Sequence, residues 1–337
     1  MKAFLLAAGR GERFRPVTER IPKALLPYLN VPLARAHLSR LLLQGVGEAG
    51  VNLHYLGDEI ERDLRDRAAE LPKLQFFRED PILGTAGALK NAAHWLGDRD
   101  FLVVNCDAAV DLDLDRLAQA HAASGRGATL LTVENREPDR YTALQPEGDS
   151  ITGFGGQSVR PLLYTGVCVL SPRVLRGIPE GEASLVADVW EPMLARGEKI
   201  GFVLHEGPFA DLGRPGDFLR ASLEALSRGG PFPAGAGVFD EPSRVLSRVP
   251  VSHFLARSSV LGLATIGSGT QLVESAVWDG AEIGEGASIE RCLVAGGRVS
   301  AGAHHADSLL WPEPDGVAGA LPLEPGVHGF HSASPRR

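Results

Sequence analysis

A short apolar strand that runs straight into a glycine-containing, cation-rich loop limits what this chain can fold into more than any other feature. Residues 2–8 have the pattern of a buried strand, and Gly9 and Gly11 follow them. Glycine permits torsions and close approaches that a Cβ atom resists, so we expect free backbone N–H groups to face a ligand here. The loop carries five cations and two glutamates in a protein of formal net charge -8, which is typical of an anion site. The cations are Arg10, Arg13, Arg15, Arg20 and Lys23.

Two well-known phosphate-binding glycine motifs do not fit this loop. Gly9 and Gly11 match the first two glycines of the dinucleotide fingerprint, but Phe14 stands where the third position needs a small residue. A P-loop needs Gly-Lys-Ser or Gly-Lys-Thr shortly after its first glycine, whereas Lys23 comes much later and between prolines. What remains is a proline-stiffened loop that spreads cations over a bound phosphate chain.

Strand and helix patterns alternate over the first 228 residues. Such alternation predicts an α/β fold with a doubly wound, mostly parallel, Rossmann-like sheet and helices on both faces. Ligands of such sheets bind beyond the carboxyl ends of the strands, where the glycine loop and Asp107 both fall. Helices are expected in the gaps between the later strands. The predicted strands are 2–8, 49–55, 74–77, 101–105, 129–134, 162–170 and 199–204, and the predicted helices begin at 33, 58 and 85.

A Gly/Pro-rich stretch after residue 226 predicts a boundary, with an α/β domain over 1–228, a linker over 229–250, a repeat over 251–311 and a cap or tail over 312–337. In the repeat, branched apolar residues recur every five or six positions with glycines between them. This approximate hexapeptide pattern predicts a short left-handed parallel β-helix, and a glycine-rich meander of strands is the alternative. The recurring residues are Val260, Ile266, Leu272, Val277, Ile283, Ile289, Val294 and Val299.

Composition excludes several classes of protein. The acidic balance, with a pI near 5.7, leaves no basic stripe for nucleic acid. No apolar run approaches the roughly 20 residues that a membrane span needs. Cys106, Cys168 and Cys292 form an odd set without a Cys-x-x-Cys pair, which disfavours a disulfide framework or a zinc site and fits a cytoplasmic protein.

The loop resembles the signature of the sugar-1-phosphate nucleotidyltransferases, a glycine turn followed by Arg, Pro, Thr and then Pro-Lys-x-Leu-Leu-Pro. This resemblance implies an enzyme that joins a nucleoside triphosphate to a sugar 1-phosphate and releases pyrophosphate. A C-terminal β-helix is also common in that family. The matching residues are Gly9, Gly11, Arg13, Pro16, Thr18, Pro22, Lys23, Leu25, Leu26 and Pro27.

The resemblance implies roles for two of the cations. Arg13 would bind the leaving phosphates, and Lys23 would lie near the α-phosphate or the incoming sugar phosphate. A forked guanidinium suits two adjacent phosphoryl oxygens, and a compact ammonium suits the crowded centre. Removing a preorganised charge of this kind typically lowers the rate about 10²- to 10³-fold.

Two aspartates are the expected ligands of Mg²⁺, the expected cofactor. Asp107 follows a predicted strand where the family has Gly-Asp, although Cys106 replaces the usual glycine. Asp211 lies in a segment that resembles the family's aromatic-x-Asp-x-Gly-x-Pro element. A helix N-cap role for Asp211 and a nucleophilic role for Cys106 are the alternatives. The acidic run Asp111, Asp113 and Asp115 has the pattern of helix-start charges rather than of metal ligands.

The segment that begins at Leu83 resembles the Leu-Gly-Thr-Ala-Gly segment of mannose-1-phosphate guanylyltransferases. Guanine is therefore the favoured base, with uridine or thymidine nucleotides as the alternative. Thr85 is expected to cap the following helix, and Glu79 to accept hydrogen bonds from a guanine amino group. The expected nucleotide contacts are Leu6, Ala8, Gly9, Gly11, Arg13, Glu79, Gly84, Thr85, Gly87 and Asp107.

The sugar pocket departs from the family pattern. Many relatives carry a Glu-Lys-Pro element whose lysine binds the sugar phosphate, but residues 155–158 here are Gly-Gly-Gln-Ser. Arg160 or Arg214 would compensate, or Lys23 would bind that phosphate alone. Mannose 1-phosphate is the favoured substrate, and homo-oligomers joined by the C-terminal repeat are a further expectation. The expected sugar contacts are Lys23, Asn105, Thr165, Gly166 and Asp188.

Two other classes of function stay open. One is a non-catalytic regulatory subunit that binds a nucleotide sugar, although the presence of all four proposed catalytic side chains disfavours it. The other is an acyltransferase activity in the C-terminal repeat, which lacks a well-placed catalytic histidine because His253 lies before its coils begin. The four catalytic candidates are Arg13, Lys23, Asp107 and Asp211.

Overall fold

A computed structural model describes residues 1–156, 160–228, 255–257 and 259–324. These residues form two compact units, one containing 1–10 and 37–209 and the other containing 11–36 and the described part of 210–324. Most of the loop after Gly9 therefore belongs with the C-terminal part of the chain. The predicted linker over 229–250, His253 and the end of the predicted tail lie outside the described residues, and the predicted domain limits stay predictions.

Thirteen strands and seven helices are described up to residue 228. The strands are β1 Lys2–Leu6, β2 Pro27–Tyr28, β3 Val31–Pro32, β4 Glu48–Leu53, β5 Lys73–Arg78, β6 Phe101–Asn105, β7 Ala108–Val110, β8 Ala128–Glu134, β9 Leu144–Glu147, β10 Ser150–Phe154, β11 Leu162–Leu170, β12 Ile200–Leu204 and β13 Phe209–Asp211. The helices are α1 Leu33–Leu43, α2 Gly57–Asp66, α3 Gly84–Asn91, α4 Ala93–Leu96, α5 Leu114–Ser124, α6 Glu191–Ala195 and α7 Pro215–Arg228. Short 3₁₀ turns cover Glu12–Phe14, Val17–Glu19, Lys23–Leu25, Ala68–Glu70 and Pro172–Gly177, and a π-helix covers Val186–Trp190.

The first unit is built on a nine-stranded sheet in the order β5-β4-β1-β6-β11-β8-β12-β10-β9. Strands β5, β4, β1 and β6 pair in parallel, as predicted for a doubly wound fold. Strand β11 pairs antiparallel with both β6 and β8, so the sheet is mixed. The prediction of a mostly parallel sheet therefore holds for β5, β4, β1 and β6 and fails beyond β6, where β8 and β12 pair in parallel but the other pairs are antiparallel.

The mixed half arises because β9 and β10 form a hairpin where the sequence analysis expected a helix. They pair antiparallel around Gly148, whose φ is 60°. A glycine next to an aspartate is a hairpin-turn sequence, because the turn needs a positive φ. A chain that returns through a hairpin rather than a crossover helix can enter the sheet antiparallel, as β11 does.

The core of the first unit is apolar and includes a small aromatic group. The Trp190 ring is fully buried and lies parallel to Phe154, with centroids 5.9 Å apart. Tyr164 meets the same ring edge-on at 5.1 Å. Burial of such rings fixes the π-helix of residues 186–190 against β10 and β11.

The second unit is organised around Phe218 of α7, which is fully buried. Its ring makes edge contacts with Phe14 at 5.5 Å, Tyr28 at 5.7 Å and Trp278 at 5.7 Å between centroids. The Tyr28 hydroxyl also donates to the carbonyl of Ala221 at 3.1 Å. Helix α7 therefore packs against both the cation-rich loop and the C-terminal part of the chain.

Three stacks of short parallel strands follow α7. One contains β14, β17, β20 and β23, a second β15, β18, β21 and β24 with β25 added antiparallel, and a third β16, β19 and β22. The register joins residues 255, 271, 288 and 304, a repeat of 16 or 17 residues. The strands are β14 Leu255–Arg257, β15 Val260–Leu261, β16 Thr265–Ile266, β17 Gln271–Val273, β18 Ala276–Val277, β19 Glu282–Ile283, β20 Ser288–Glu290, β21 Leu293–Val294, β22 Arg298–Val299, β23 His304–Ala306, β24 Ser308–Pro312 and β25 Ala318–Pro322.

The recurring apolar residues line the inside of these stacks. From Ile266 to Val299, each of them is at most 3% exposed. Their burial agrees with the prediction of one inward-pointing apolar side chain on each short strand. The side chain of Val260 lies outside the described residues.

Candidate active site

The first unit presents predicted nucleotide contacts and one predicted sugar contact, Asn105, at one edge of its sheet. Leu6 is the last residue of β1, Asn105 is the last residue of β6, and Glu79 follows β5 directly. Asp107, half-buried, comes two residues after β6. Because these strands run in parallel, their carboxyl ends meet at the same edge. The structure therefore brings these four residues to one edge of the sheet.

The backbone before Asp107 is held by a histidine that the sequence analysis did not single out. The Nε2 atom of His37 lies 3.2 Å from the carbonyl oxygen of Cys106. A carbonyl only accepts, so Nε2 carries the proton and donates. Burial lowers the pKa of His37 to about 4, which keeps the ring neutral. The backbone N–H of Cys106 donates to Leu6, and its thiol side chain is buried.

Glu79 is 5% exposed, and each of its carboxylate oxygens accepts a hydrogen bond. Oε1 accepts from Nδ2 of Asn52 at 2.7 Å, and Oε2 accepts from the backbone N–H of Leu83 at 2.8 Å. Burial raises the pKa of the Glu79 carboxyl, while these two donors oppose the rise. Glu79 thus fixes the segment that leads into α3, a role that the sequence analysis did not assign to it.

The glycines and threonine of α3 hold a neighbouring backbone segment, 181–185. A Cβ atom on Gly84 would lie 2.6 Å from a carbonyl oxygen of this segment, and one on Gly87 would overlap another. The Thr85 hydroxyl accepts from a backbone N–H of the same segment at 2.9 Å. The N-cap of α3 is Leu83, so the prediction that Thr85 caps this helix is wrong. Thr85 lies two positions beyond the N-cap, inside the first turn of the helix.

Four of the five predicted sugar contacts belong to the first unit. Gly166 lies beside Asn105, since a Cβ atom on Gly166 would be 2.9 Å from the Asn105 Cβ. The buried hydroxyl of Thr165 donates to the carbonyl of Leu131 at 2.9 Å. Asp188 is exposed and accepts from the backbone N–H of Ser184.

In the second unit, Gly11 sits against Thr18 of the signature and against the predicted site residue Lys23. Its φ is 64°, and a Cβ atom there would lie 2.8 Å from Cγ2 of Thr18 and 3.1 Å from Cβ of Lys23. The Thr18 hydroxyl donates to the Gly11 carbonyl at 2.8 Å. Gly9 differs, because its φ is not positive and a Cβ atom there would meet nothing within 4 Å. The expected need for special torsions therefore applies to Gly11 and not to Gly9.

Arg13 and Asp211 both lie beside Gly213. The backbone N–H of Gly213 donates to Oδ1 of Asp211 at 2.8 Å, and a Cβ atom on Gly213 would overlap the Arg13 guanidinium. The structure thus brings the predicted catalytic arginine and one predicted metal ligand to the same glycine. Helix α7 begins at Pro215, directly after Arg214, so Asp211 does not occupy its N-cap position.

Two charged residues that were candidates for other roles, Arg214 and Asp111, form ion pairs. Arg214 forms an ion pair with Glu324, and Arg40 with Asp111. Asp113 is the N-cap of α5, which agrees with its predicted helix-start role. Residues 157 and 158 of the altered sugar segment lie outside the described residues.

None of the described helices is long and apolar enough to cross a membrane.

The family model and the relatives that match this chain all point to the same family of proteins. Residues 2–228 match the family described as nucleotidyl transferase. A mannose-1-phosphate guanylyltransferase of Mycobacterium tuberculosis is 30% identical over 298 residues, 86% of this chain and 83% of that protein. The catalytic subunit beta of the Danio rerio mannose-1-phosphate guanylyltransferase is 31% identical over 65% of this chain, which spans 63% of that subunit. An N-acetylmuramate alpha-1-phosphate uridylyltransferase of Neisseria meningitidis is 34% identical over 63% of this chain and 93% of that protein.

Solved structures share the fold. A putative glucose-1-phosphate thymidylyltransferase from Bacillus anthracis aligns with a TM-score of 0.61 at 22% identity, covering 69% of this chain and 98% of its own. HddC from Yersinia pseudotuberculosis, complexed with GMP-PN, aligns with a TM-score of 0.57 at 24% identity, covering 66% and 97%.

Proposed function

The chain belongs to the nucleotidyl transferase family, and on that premise we propose that it joins a nucleoside triphosphate to a sugar 1-phosphate, forming a nucleotide sugar and pyrophosphate. The observation that carries this proposal is the arrangement at Gly213, where an arginine and an aspartate flank one glycine. A guanidinium beside a carboxylate that can bind a metal suits a polyphosphate, because the two groups match the charges of a phosphate–metal complex.

In the proposed reaction, a phosphate oxygen of the sugar forms a bond to the α-phosphorus while the bond to the pyrophosphate oxygen breaks. Arg13 binds the leaving phosphates, and its exposed side chain is accessible to them. Lys23 binds the α-phosphate or the sugar phosphate, with its Cβ atom held against Gly11. Both cations stabilise charge where it develops, which is the main requirement of phosphoryl chemistry.

Asp107 and Asp211 are the proposed ligands of Mg²⁺. Both carboxylates are half-buried, and carboxylate oxygen is the donor that Mg²⁺ prefers in proteins. The described residues contain no group of three or more His, Cys, Asp or Glu side chains that could hold a metal. This fits an ion that takes only one or two carboxylates and completes its shell with phosphates and water. Bound Mg²⁺ would neutralise phosphate charge and fix the geometry of the triphosphate.

GTP and mannose 1-phosphate are the proposed substrates, supported by the names of the Mycobacterium and Danio relatives. Uridine or thymidine nucleotides remain the alternative, since the Neisseria relative is a uridylyltransferase. A non-catalytic nucleotide-sugar-binding subunit is disfavoured because all four proposed catalytic side chains are present. The proposed nucleotide contacts are Leu6, Ala8, Gly9, Gly11, Arg13, Glu79, Gly84, Thr85, Gly87 and Asp107, and the proposed sugar contacts are Lys23, Asn105, Thr165, Gly166 and Asp188.

The C-terminal stacks are proposed to form a left-handed parallel β-helix that joins copies of this chain. The support for it is the 16- or 17-residue register shared by the parallel stacks. Light scattering of the purified protein would measure the oligomeric state. A cytoplasmic location stays a prediction from the use of cysteine.

A pyrophosphate-release assay tests the activity directly. The full chain is incubated with five nucleoside triphosphates and a panel of sugar 1-phosphates, with and without Mg²⁺. We expect release with GTP and mannose 1-phosphate that depends on Mg²⁺. No release with any pair would reject the proposed activity, and a preference above tenfold for UTP or dTTP would reject the proposed base.

Two conservative variants test the metal ligands. Asp107→Asn and Asp211→Asn keep the size of the side chain but remove the charge that a cation needs. Each should lower Mg²⁺-dependent turnover by about 10²-fold or more while the circular dichroism spectrum stays unchanged. Full activity in either variant would remove that residue from the proposed site.

A further inference from the structure

A buried row of hydrogen bonds joins the ends of β1 and β5 through one amide side chain. The backbone N–H of Ala7 donates to Oδ1 of Asn52 at 2.7 Å. Nδ2 of Asn52 donates to Oε1 of Glu79 at 2.7 Å, and Oε2 of Glu79 accepts from Leu83 at 2.8 Å. Asn52 is 3% exposed and Glu79 is 5% exposed. Burying an amide and a carboxylate costs free energy unless both are bonded, as they are here.

The orientation of the Asn52 amide follows from its partners. The Ala7 N–H can only donate, so the atom facing it must be the amide oxygen. The NH₂ group then faces Glu79, whose ionised carboxylate can only accept. If the amide were turned over, its NH₂ group would face the Ala7 N–H, so that two donors met. Its oxygen would face the Glu79 carboxylate, so that two acceptors met. The row therefore has only one arrangement in which every donor meets an acceptor. We call this row, from Ala7 through Asn52 and Glu79 to Leu83, the spacer, because it fixes the distance between its two ends.

The spacer joins two segments that the proposed function uses. Ala7 lies between Leu6 and Ala8 at the end of β1, and Leu83 directly precedes Gly84 and Thr85. Asn52 lies on β4, which pairs with β1 on one side and with β5 on the other. It is thus placed to fix the distance between the two strands' ends without itself lying in either segment.

We propose that Asn52 is a positioning residue that preorganises the two nucleotide-binding segments, so that its loss weakens nucleotide binding and leaves sugar phosphate binding unchanged. This inference rests on the proposed function, because it takes the two segments as nucleotide contacts. Preorganised groups bind more tightly because the ordering cost is met before the ligand arrives. A merely structural role would instead lower stability and leave both Michaelis constants alone.

Asn52→Asp is the sharpest single test, since it preserves shape and places a second carboxyl group against Glu79. Two carboxylates at this distance repel each other when both are ionised, so one of them takes a proton as the pH falls, and that proton restores a hydrogen bond between them. His54 is the titratable side chain that faces Glu79, with Nδ1 3.0 Å from the Glu79 carbonyl oxygen. We expect the KM for the nucleotide to rise about tenfold at pH 8 and to recover toward pH 6, with the KM for the sugar phosphate unchanged.

Asn135→Asp is a matched control. Asn135 is also a buried amide, 4% exposed, that donates to Tyr141 and accepts from the N–H of Glu137. A carboxylate introduced there lowers stability without touching the spacer. Its nucleotide KM should match that of the parent at both pH values. If both variants shift the KM alike, the effect of Asn52→Asp is general destabilisation and the inference fails.

The exchange Asn52→Asp with Glu79→Gln keeps the inference testable if the single variant does not fold. In the exchange, the carboxylate at position 52 accepts from Ala7 and from the new amide at position 79, whose oxygen accepts from Leu83. We expect nucleotide to bind the exchange variant more tightly than it binds Glu79→Gln alone, where two donors oppose each other. Equal affinity of these two variants would overturn the inference.

Equilibrium binding of the triphosphate separates this inference from the proposed function. A parent protein that neither turns over nor binds any nucleoside triphosphate contradicts the proposed function itself. A parent that binds and turns over, with an Asn52→Asp variant whose nucleotide KM is unchanged from pH 6 to pH 8, contradicts only the positioning role.

Discussion

Gly87 and Gly213 are both crowded, but by atoms of different kinds. A Cβ atom on Gly87 would overlap a backbone carbonyl oxygen, whereas one on Gly213 would meet the ends of the Arg13 and Asp211 side chains. Backbone in a packed segment cannot shift cheaply, while the end of a long side chain can. The two glycines should therefore respond to alanine in opposite ways.

We expect Gly87→Ala to lower the melting temperature and Gly213→Ala to preserve it. Gly213→Ala should instead reduce kcat by about 10²-fold, because it displaces a proposed catalytic guanidinium and a proposed metal ligand. Thermal unfolding and pyrophosphate release, measured on both variants, separate the two effects. A Gly213→Ala variant with parental kcat would remove Arg13 and Asp211 from the proposed chemistry.

His121 makes the stability of the protein depend on pH. Its ring is 2% exposed and lies within hydrogen-bond distance of the Thr129 and Ser171 hydroxyls. Burial lowers the pKa of His121 below its ordinary value of 6.5, although Asp100 opposes the shift. As the pH falls below 6.5, the unfolded chain takes up the proton first, so the folded state loses stability.

We expect His121→Gln to lose less stability than the parent between pH 7.5 and pH 5. Glutamine can still donate and accept hydrogen bonds but does not titrate. Urea unfolding at both pH values gives the comparison, and the exposed His94→Gln serves as the control. An unchanged pH dependence in His121→Gln would show that other groups cause the acid sensitivity.

The sequence points to a site residue where that residue belongs to a motif. It does not do so where the role of the residue depends on a hydrogen-bond partner from a distant segment. Arg13, Lys23 and Asp211 could be proposed as site residues because their types and spacing follow a family signature. Asn52 and His37 could not, because their partners come from segments that only the fold brings near. A buried amide between Val51 and Leu53 in an apolar strand was nevertheless a usable signal, since such an amide must be bonded.

Among the elements, local pattern predicted strand positions better than strand direction. The bounds of β6 and β11 agree with the predicted 101–105 and 162–170. The direction of β11 depends on the hairpin of β9 and β10. The only local sequence signal for that hairpin is its short turn at Gly148. Direction depends on how the chain connects over long distances, and that is decided by packing.

A column of small polar residues supports the C-terminal stacks from inside. The Ser275 hydroxyl accepts from the N–H of Cys292 at 3.0 Å, and the Ser259 hydroxyl accepts from the N–H of Ser275 at 3.2 Å. The Cys292 thiol lies within hydrogen-bond distance of the Glu290 carbonyl, and burial raises the pKa of Cys292 to about 11. Residues 259, 275 and 292 thus occupy equivalent positions.

We expect Ser275→Ala to destabilise the protein by about 1–3 kcal/mol, because it leaves a buried N–H without its acceptor. Cys292→Ser should cost less than about 1 kcal/mol, since serine already occupies the equivalent positions. Urea unfolding of both variants measures the difference. A Cys292→Ser variant less stable than Ser275→Ala would contradict the equivalence of these positions.

For the molecule as a whole, the second unit joins segments that are far apart in the sequence. Phe218 contacts Phe14 and Tyr28 from the early part of the chain and Trp278 from the C-terminal stacks. The side chain of Asn30 also donates to the carbonyl of Leu261 at 2.6 Å. The C-terminal stacks therefore help to hold the loop that carries Arg13 and Lys23.

We expect Trp278→Ala to reduce turnover by about 10- to 100-fold at a temperature where the variant stays folded. The half-buried Trp311 is the matched control, since it belongs to the same stacks but is not one of the rings around Phe218. Turnover and thermal unfolding of the two alanine variants give the comparison. Equal loss of activity in both would show that the stacks act only through general stability.

The division of the chain into interleaved segments also sets an order of events during synthesis. The loop over 11–36 leaves the ribosome before Trp278, its indirect support through Phe218, which is made after more than two hundred further residues. Contacts of such long sequence separation form late, because the entropy of closing the intervening chain must be overcome first. The loop thus cannot complete its aromatic contacts until Trp278 has been made, and a ribosome that stalls near residue 228 would leave Phe14 and Phe218 without the Trp278 ring.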